Sequence, residues 1–159
     1  MRPYKKMTKR NTTIGTLLAL TLTLSSASSQ EKGEWRASSS SAKSITGPVA
    51  FSGQRMDINF ASFPIAQIRN LTPAELTALF AAEDPVPGSG NLYRLIIPAT
   101  KTFLHHSPLC GTEETDWVAT YTQGHTLQLA FLSGPKMPTF TPEFLTDNPR
   151  LCNTFTYVR

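Results

Sequence analysis

From Ile45 onward, turn-forming residues break the chain roughly every eight to twelve positions, and apolar residues recur at alternate places between the breaks. Long helices do not fit between such breaks, whereas strands of about five residues do. In VAFSGQRMDINF, Met56, Ile58 and Phe60 alternate with Arg55, Asp57 and Asn59 beyond a Ser-Gly-Gln turn, which predicts a hairpin. Trp117, Ala119 and Tyr121 fall on one strand face, and Leu127, Leu129 and Phe131 on another, with a Gln-Gly-His turn between them. LYRLIIP, TFLH and the closing LCNTFTYVR add strand signals. FPIAQI reads as an edge strand, because Pro64 has no N–H for a ladder. The expectation is a mainly β, antiparallel sandwich or barrel.

One covering helix is expected over about residues 72–82 of NLTPAELTALFAAEDP. Thr72 stands at the N-cap, Pro73 at the first helical position, and Glu75 completes a capping box. Leu76, Leu79 and Phe80 then share a face, and Asp84-Pro85 ends the run. PVPGSGN reads as a loop, and GPKMPTFTPEFLTDNP as irregular chain with one helical turn at PEFL.

The beginning of the chain has the pattern of a cleaved export leader over residues 1–29. Arg2, Lys5, Lys6, Lys9 and Arg10 precede the apolar run Ile14–Leu24, and SSASS offers cleavage after Ala27 or Ser29. A run of 11 falls short of the roughly 20 apolar residues that span a bilayer. The mature chain is therefore expected to have no membrane anchor and to be periplasmic or secreted. Removing the leader also changes the charge. Ten Lys and Arg (15 less the 5 in the leader) then face 11 Asp and Glu, so a chain of +4 becomes one of −1. Scattered single charges without a basic stripe exclude nucleic-acid binding. Residues 30–43, which contain SSSSAK and Trp35, read as a polar linker, and residues 44–159 as a single β-rich domain.

Only two cysteines are present, Cys110 and Cys152. In an oxidising compartment they are expected to form one bridge. It would close a loop of about 43 residues, worth on the order of 4 kcal/mol in the chain-entropy model. Together, PLCG at 108–111, WVATY at 117–121, LAFLSG at 129–134 and LCNTFTY at 151–157 resemble a group of small exported bacterial proteins of unassigned activity that share a paired-cysteine frame. That resemblance implies the fold and the bridge and supplies no catalytic residue. A lipocalin shares with this chain only the strand number and an early tryptophan.

The segment FLHHSPLCGTEETDW carries the most reactive side chains. His105, His106 and His125 could hold copper or zinc, but no HExxH or CxxC spacing accompanies them. On a regular strand His105 and His106 would point to opposite faces. Glu113, Glu114 and Asp116 lack the spaced oxygens and turn glycine of a calcium loop and read as a solvated acidic turn. There is no GxSxG elbow and, with the bridge formed, no free thiol. No catalytic residue and no cofactor are assigned. Asn70-Leu71-Thr72 is a glycosylation sequon whose threonine already has a capping role.

The aromatic residues, among them Phe51, Phe60, Phe63, Tyr93, Phe131, Phe155 and Tyr157, read as core or as the lining of an apolar cavity. The leading expectation is a domain that binds a protein partner or a small apolar ligand near Trp117, Tyr121 and Tyr93. A hydrolase or metal-dependent enzyme centred on His105, His106 and Glu113 is the second reading, and a copper or zinc handler the third.

Overall fold

The computed structural model describes Met1, Pro3, residues 30–147 and residues 150–159; apart from those first two, the expected leader lies outside the described residues. Nine strands and two helices follow one another as β1 (Gly33–Ala37), β2 (Val49–Ser52), β3 (Arg55–Ile58), β4 (Ala61–Pro64), β5 (Ala66–Asn70), α1 (Pro73–Phe80), β6 (Asn91–Ile97), β7 (Thr115–Gln123), β8 (Thr126–Ser133), α2 (Pro142–Asp147) and β9 (Leu151–Val158). Every pairing is antiparallel, in the order β4-β3-β2-β1-β9-β8-β7-β6-β5.

The two edge strands in that order, β4 and β5, are separated in the chain by Ile65 alone. In a flat sheet they would lie about 38 Å apart, at about 4.8 Å per strand spacing. The step from Pro64 to Ala66 spans at most about 7 Å. The sheet therefore rolls round on itself. Residues 61–70 act as one bent ribbon whose first half pairs with β3 and whose second half pairs with β6. β1 is shared in the same way, since Gly33, Glu34 and Trp35 pair with β2 while Arg36 and Ala37 pair with β9. Of the two expected forms, this is the barrel-like one.

Alternation along the strands sorts side chains into two cores. Inside the wrap lie Trp35, Phe51, Met56, Ile58, Tyr93, Leu95, Val118, Leu127, Leu129, Phe131, Phe155 and Tyr157, all buried. Phe131 and Phe155 meet edge to face at 5.7 Å, and Tyr157 shares a 2.6 Å hydrogen bond with the Thr46 hydroxyl. Burial pushes the Tyr157 phenol well above its ordinary pKa. Outside β6, β7 and β8 lies a second core of Leu92, Trp117, Ala119, Tyr121, Ala130 and Leu132, covered by Leu76 and Leu79 of α1 and by Phe140. Ala119 pairs with Ala130 across two strands, and these small side chains give the helix a shallow seat. The loop before β6 lies equally close to the sheet. A Cβ on Gly90 would stand 2.0 Å from the Thr120 carbonyl oxygen, and one on Gly88 would stand 2.1 Å from that of Thr122.

Helix α1 begins as expected. The Thr72 hydroxyl accepts from the Glu75 N–H, and a Glu75 carboxylate oxygen accepts from the Thr72 N–H at 2.9 Å. The helix stops at Phe80, two residues short of the expected end, because Ala81 takes a left-handed conformation. Two other expectations need correction. The segment 30–43 is no linker: it holds β1 and enters the helical turn Ala42–Thr46, with Trp35 fully buried. One large indole outweighs the polar serines around it. TFLH does not form a strand either. Leu104–His106 is a short helical turn, and His105 and His106 have φ of 53° and 57°, which no strand accommodates.

Cys110 and Cys152 are bonded, with a sequence separation of 42, and join the β6–β7 connection to the start of β9. Under oxidising conditions Cys152→Ser should lower stability by about 2–4 kcal/mol in urea unfolding, with no recovery on adding zinc or copper. An unchanged midpoint would remove the bridge from the account of stability.

A second prediction concerns α1. The Arg69 guanidinium donates to both Glu75 oxygens, at 2.8 and 2.7 Å, and that contact first, the Thr72 backbone second, hold the carboxyl below its usual range. A depressed folded pKa gives stability that is present above the unfolded carboxylate value and is lost as pH falls through the folded one. Unfolding midpoints followed from about pH 6 to about pH 3 should fall less steeply in Glu75→Gln than in the native chain.

Candidate functional site

The long β6–β7 connection closes one end of the barrel. Phe103 and Leu109 pack into the inner core from it, Asn153 Nδ2 donates to the Leu109 carbonyl at 2.8 Å, and the disulfide fixes the same point. His105 and His106 sit on the outer side of this cap and are exposed. His125 is also exposed, but it lies in the β7–β8 turn. The length of β7 separates the two places, on the order of 25 Å at about 3.3 Å per residue. The three histidines therefore do not converge. Among the described residues no group of three His, Cys, Asp or Glu side chains could hold a metal ion.

The acids of the cap divide by role. Glu113 and Glu114 are exposed. Asp116 is buried and committed: it forms a 2.7 Å ion pair with Arg94 and accepts from the Gly134 N–H at 2.8 Å. Arg94 also lies over the Trp117 ring at 4.7 Å, and Trp117 Nε1 donates to the Gly134 carbonyl at 2.8 Å. This ties β6, β7 and the end of β8 together.

The three residues expected to bind a ligand are placed as follows. Trp117 and Tyr121 belong to the core beneath α1, at 6% and 2% exposure, and Tyr121 stacks on Phe80 at 5.7 Å. Burial, with Glu83 nearby, raises the Tyr121 phenol above its ordinary pKa. Tyr93 faces the barrel interior, 6.2 Å from Phe51. The structure thus puts Tyr93 on the opposite side of the sheet from the other two.

What stands exposed is Phe60, read from the sequence as the next inward residue after Ile58. Strand β3 ends at Ile58, however, and Ile58 pairs with Ala61 across a two-residue turn. Asn59 and Phe60 fill the turn with φ of 45° and 66°. Two left-handed residues make the tight hairpin turn that normally takes Asn-Gly, so Phe60 occupies the glycine position. Its side chain is 89% exposed. Beside it a shallow pocket on the outer face of β1, β2 and β3 is lined by Glu34, Arg36, Pro48, Ala50 and Asp57, among others. Register puts Glu34, Ala50 and Asp57 in one row across the three strands, with the small alanine between two carboxylates. Helix α1 and Phe140 cover the outer face of β6, β7 and β8, on another part of the barrel, and this face is left open.

Sequence reasoning passed over Phe60 by carrying the period of two beyond Asn59. The asparagine, a turn former in a run of alternating residues, was the available signal. The chain matches no protein-family model, no curated protein and no solved structure.

The histidine geometry gives a prediction. Native mass spectra of the oxidised chain with zinc or cupric ion should show no stoichiometric adduct. A one-ion adduct that disappears in His105→Ala, His106→Ala would return those side chains to the status of a site.

Proposed function

We propose that this chain is an exported β domain, periplasmic or secreted, that acts by binding a protein partner through the β3–β4 turn and the open face beside it. One observation carries the reading: a phenylalanine that is both fully presented to solvent and held in a left-handed backbone. A left-handed L-residue costs about 1–2 kcal/mol, and an exposed ring gains nothing from burial. The two-residue turn requires the left-handed backbone, but folding alone accounts neither for a phenylalanine at that position nor for its exposure. A protein partner that buries the ring accounts for the exposure, since aromatic anchors beside a pocket dominate interface energetics.

The bridge between the only two cysteines supports an oxidising destination. Among the described residues no helix is long and apolar enough to cross a membrane. A protein partner is favoured over a small apolar ligand because Trp35, Phe131, Phe155 and Tyr157, each at or below 1% exposure, occupy the barrel interior.

The reading predicts opposite effects of one substitution. Phe60→Gly should raise stability by about 1 kcal/mol, because glycine adopts the left-handed turn without strain. The same change should abolish partner capture. A photocrosslinking side chain placed at residue 60 in the exporting host should give a discrete adduct, and one at Gln54, in the turn at the other end of β3, should give none. Equal labelling from both positions, or none from either, would dismiss the hairpin as the binding element.

A further inference from the structure

The end of the barrel opposite the disulfide is closed by residues just before β1. The Glu31 side chain is 1% exposed. Its Oε1 accepts from Asn91 Nδ2 at 2.7 Å and from the Thr120 hydroxyl, while its carbonyl accepts from Trp35 Nε1 at 2.7 Å. The other oxygen, Oε2, is buried with no hydrogen-bond partner, and Glu31 has no ion pair among the described residues. Thr122 shares the inward face of β7 with Thr120, two residues away, and its hydroxyl is also buried without a partner.

A carboxylate oxygen and a hydroxyl, both without a hydrogen-bond partner among the described residues, thus lie at the same end of the barrel. Gln30 joins the barrel beside them. Its side-chain oxygen accepts from the Ser89 hydroxyl at 3.1 Å, and Ser89 exchanges backbone hydrogen bonds with Thr122 at 3.2 and 2.8 Å. Glu31, the next residue, is held by Thr120. Arg159, at the same end, is engaged elsewhere: it lies over the Trp35 ring at 4.2 Å and donates to the Lys32 carbonyl at 3.0 Å.

A buried carboxylate with one bare oxygen and no countercharge is costly. Export cleavage after Ser29 would create a positive charge with three N–H donors at Gln30. We propose that the α-ammonium of Gln30 is the partner of Glu31 Oε2, so that removal of the leader completes this end of the barrel. The inference rests on the export reading above. Before cleavage the nitrogen of Gln30 is a neutral amide with one N–H, and Glu31 has no ion pair among the described residues. After cleavage the pair forms and the barrel end is locked. The mature chain is therefore more stable than its precursor, which keeps the precursor easier to unfold for export.

The test uses the chain from Gln30 to Arg159, which contains every described strand and helix, with its free amine verified by intact mass. It is compared with its Nα-acetylated counterpart and with a chain that retains Ser28 and Ser29, each in the native and the Glu31→Gln background. The free-amine chain should melt about 3 °C or more above the other two, and the gap should close in Glu31→Gln. Equal melting in the native background, or a gap that survives in Glu31→Gln, overturns the pairing. A second readout needs no variant: acylation of the Gln30 amine should slow on folding, and an amine that reacts as fast folded as in denaturant overturns it too. The mass of the chain exported by its host is read separately. A chain beginning at Gln30 supports the inference, and one beginning at Ser28 overturns it while leaving export standing. A chain that keeps residues 1–29 defeats the export reading, and with it the role of cleavage.

Discussion

The single-residue link at Ile65 is the constraint on which the remaining structure depends. It joins the two strands that would otherwise be the far edges of a nine-stranded sheet, and so forces closure. Closure converts one sheet face into an enclosed volume that must be filled to protein density. Trp35, Phe131, Phe155 and Tyr157 fill it. It also removes the long unpaired edges that invite aggregation, because each half of the 61–70 ribbon leaves open only a few residues. β1 makes the complementary closure by passing from β2 to β9 within five residues, which places the beginning of the domain against its end.

A rolled sheet has two ends, and this chain closes them by different physics. At one end the connection is long, and the disulfide holds it covalently while Leu109 and Phe103 enter as stoppers. The bridge acts mainly on the unfolded chain, so it tolerates an irregular loop with two left-handed histidines. At the other end there is no covalent tie. A polar network of Glu31, Asn91 and Thr120 closes it, and such a network stabilises only when its members are satisfied. The two cysteine sulfurs are satisfied by each other, whereas one Glu31 oxygen is not. That contrast makes the N-terminal end the conditional part of the fold.

Legibility in the sequence followed the range of the interactions. The capping box at Thr72 and Glu75 was readable to the residue, because it is made by side chains three apart. The alternation in β7 was readable because a period of two sends Trp117 and Tyr121 one way and Val118 the other. Barrel closure was not readable, since the pairing of β1 with β9 joins residues more than a hundred apart with no local mark. Trp35 was placed in a linker because the serines beside it outweighed one indole in composition, while burial weighs area. The candidate site was missed for a narrower reason. Phe60 is an apolar residue in phase with Met56 and Ile58, and only the left-handed turn beginning at Asn59 takes it out of phase. Glu31 carries no pattern at all; a lone acid in a polar stretch announces its burial only in three dimensions.

The position of the open face follows from where the helices went. Helices α1 and α2 attach after β5 and β8, and α1 covers the outer face of β6, β7 and β8, where the sheet presents Leu92, Trp117 and Tyr121 outward. The outward residues of β1 to β4 are of another kind: Glu34, Arg36, Ser52, Arg55, Asp57 and Ser62, with Arg55 donating to the Ser62 hydroxyl at 2.7 and 3.0 Å. That half of the barrel needs no cover, and a polar strand face in water costs nothing to leave bare. An exposed phenylalanine in such surroundings is not packed as core: it stands 89% exposed at the rim of a shallow pocket whose other lining mixes Pro48 and Ala50 with Glu34, Arg36 and Asp57. The ring stands beside a row of two carboxylates and a small alanine, on a turn whose backbone would be easier with glycine. Its placement weighs against stability on two counts, and contact with something outside the chain is the gain that can offset both.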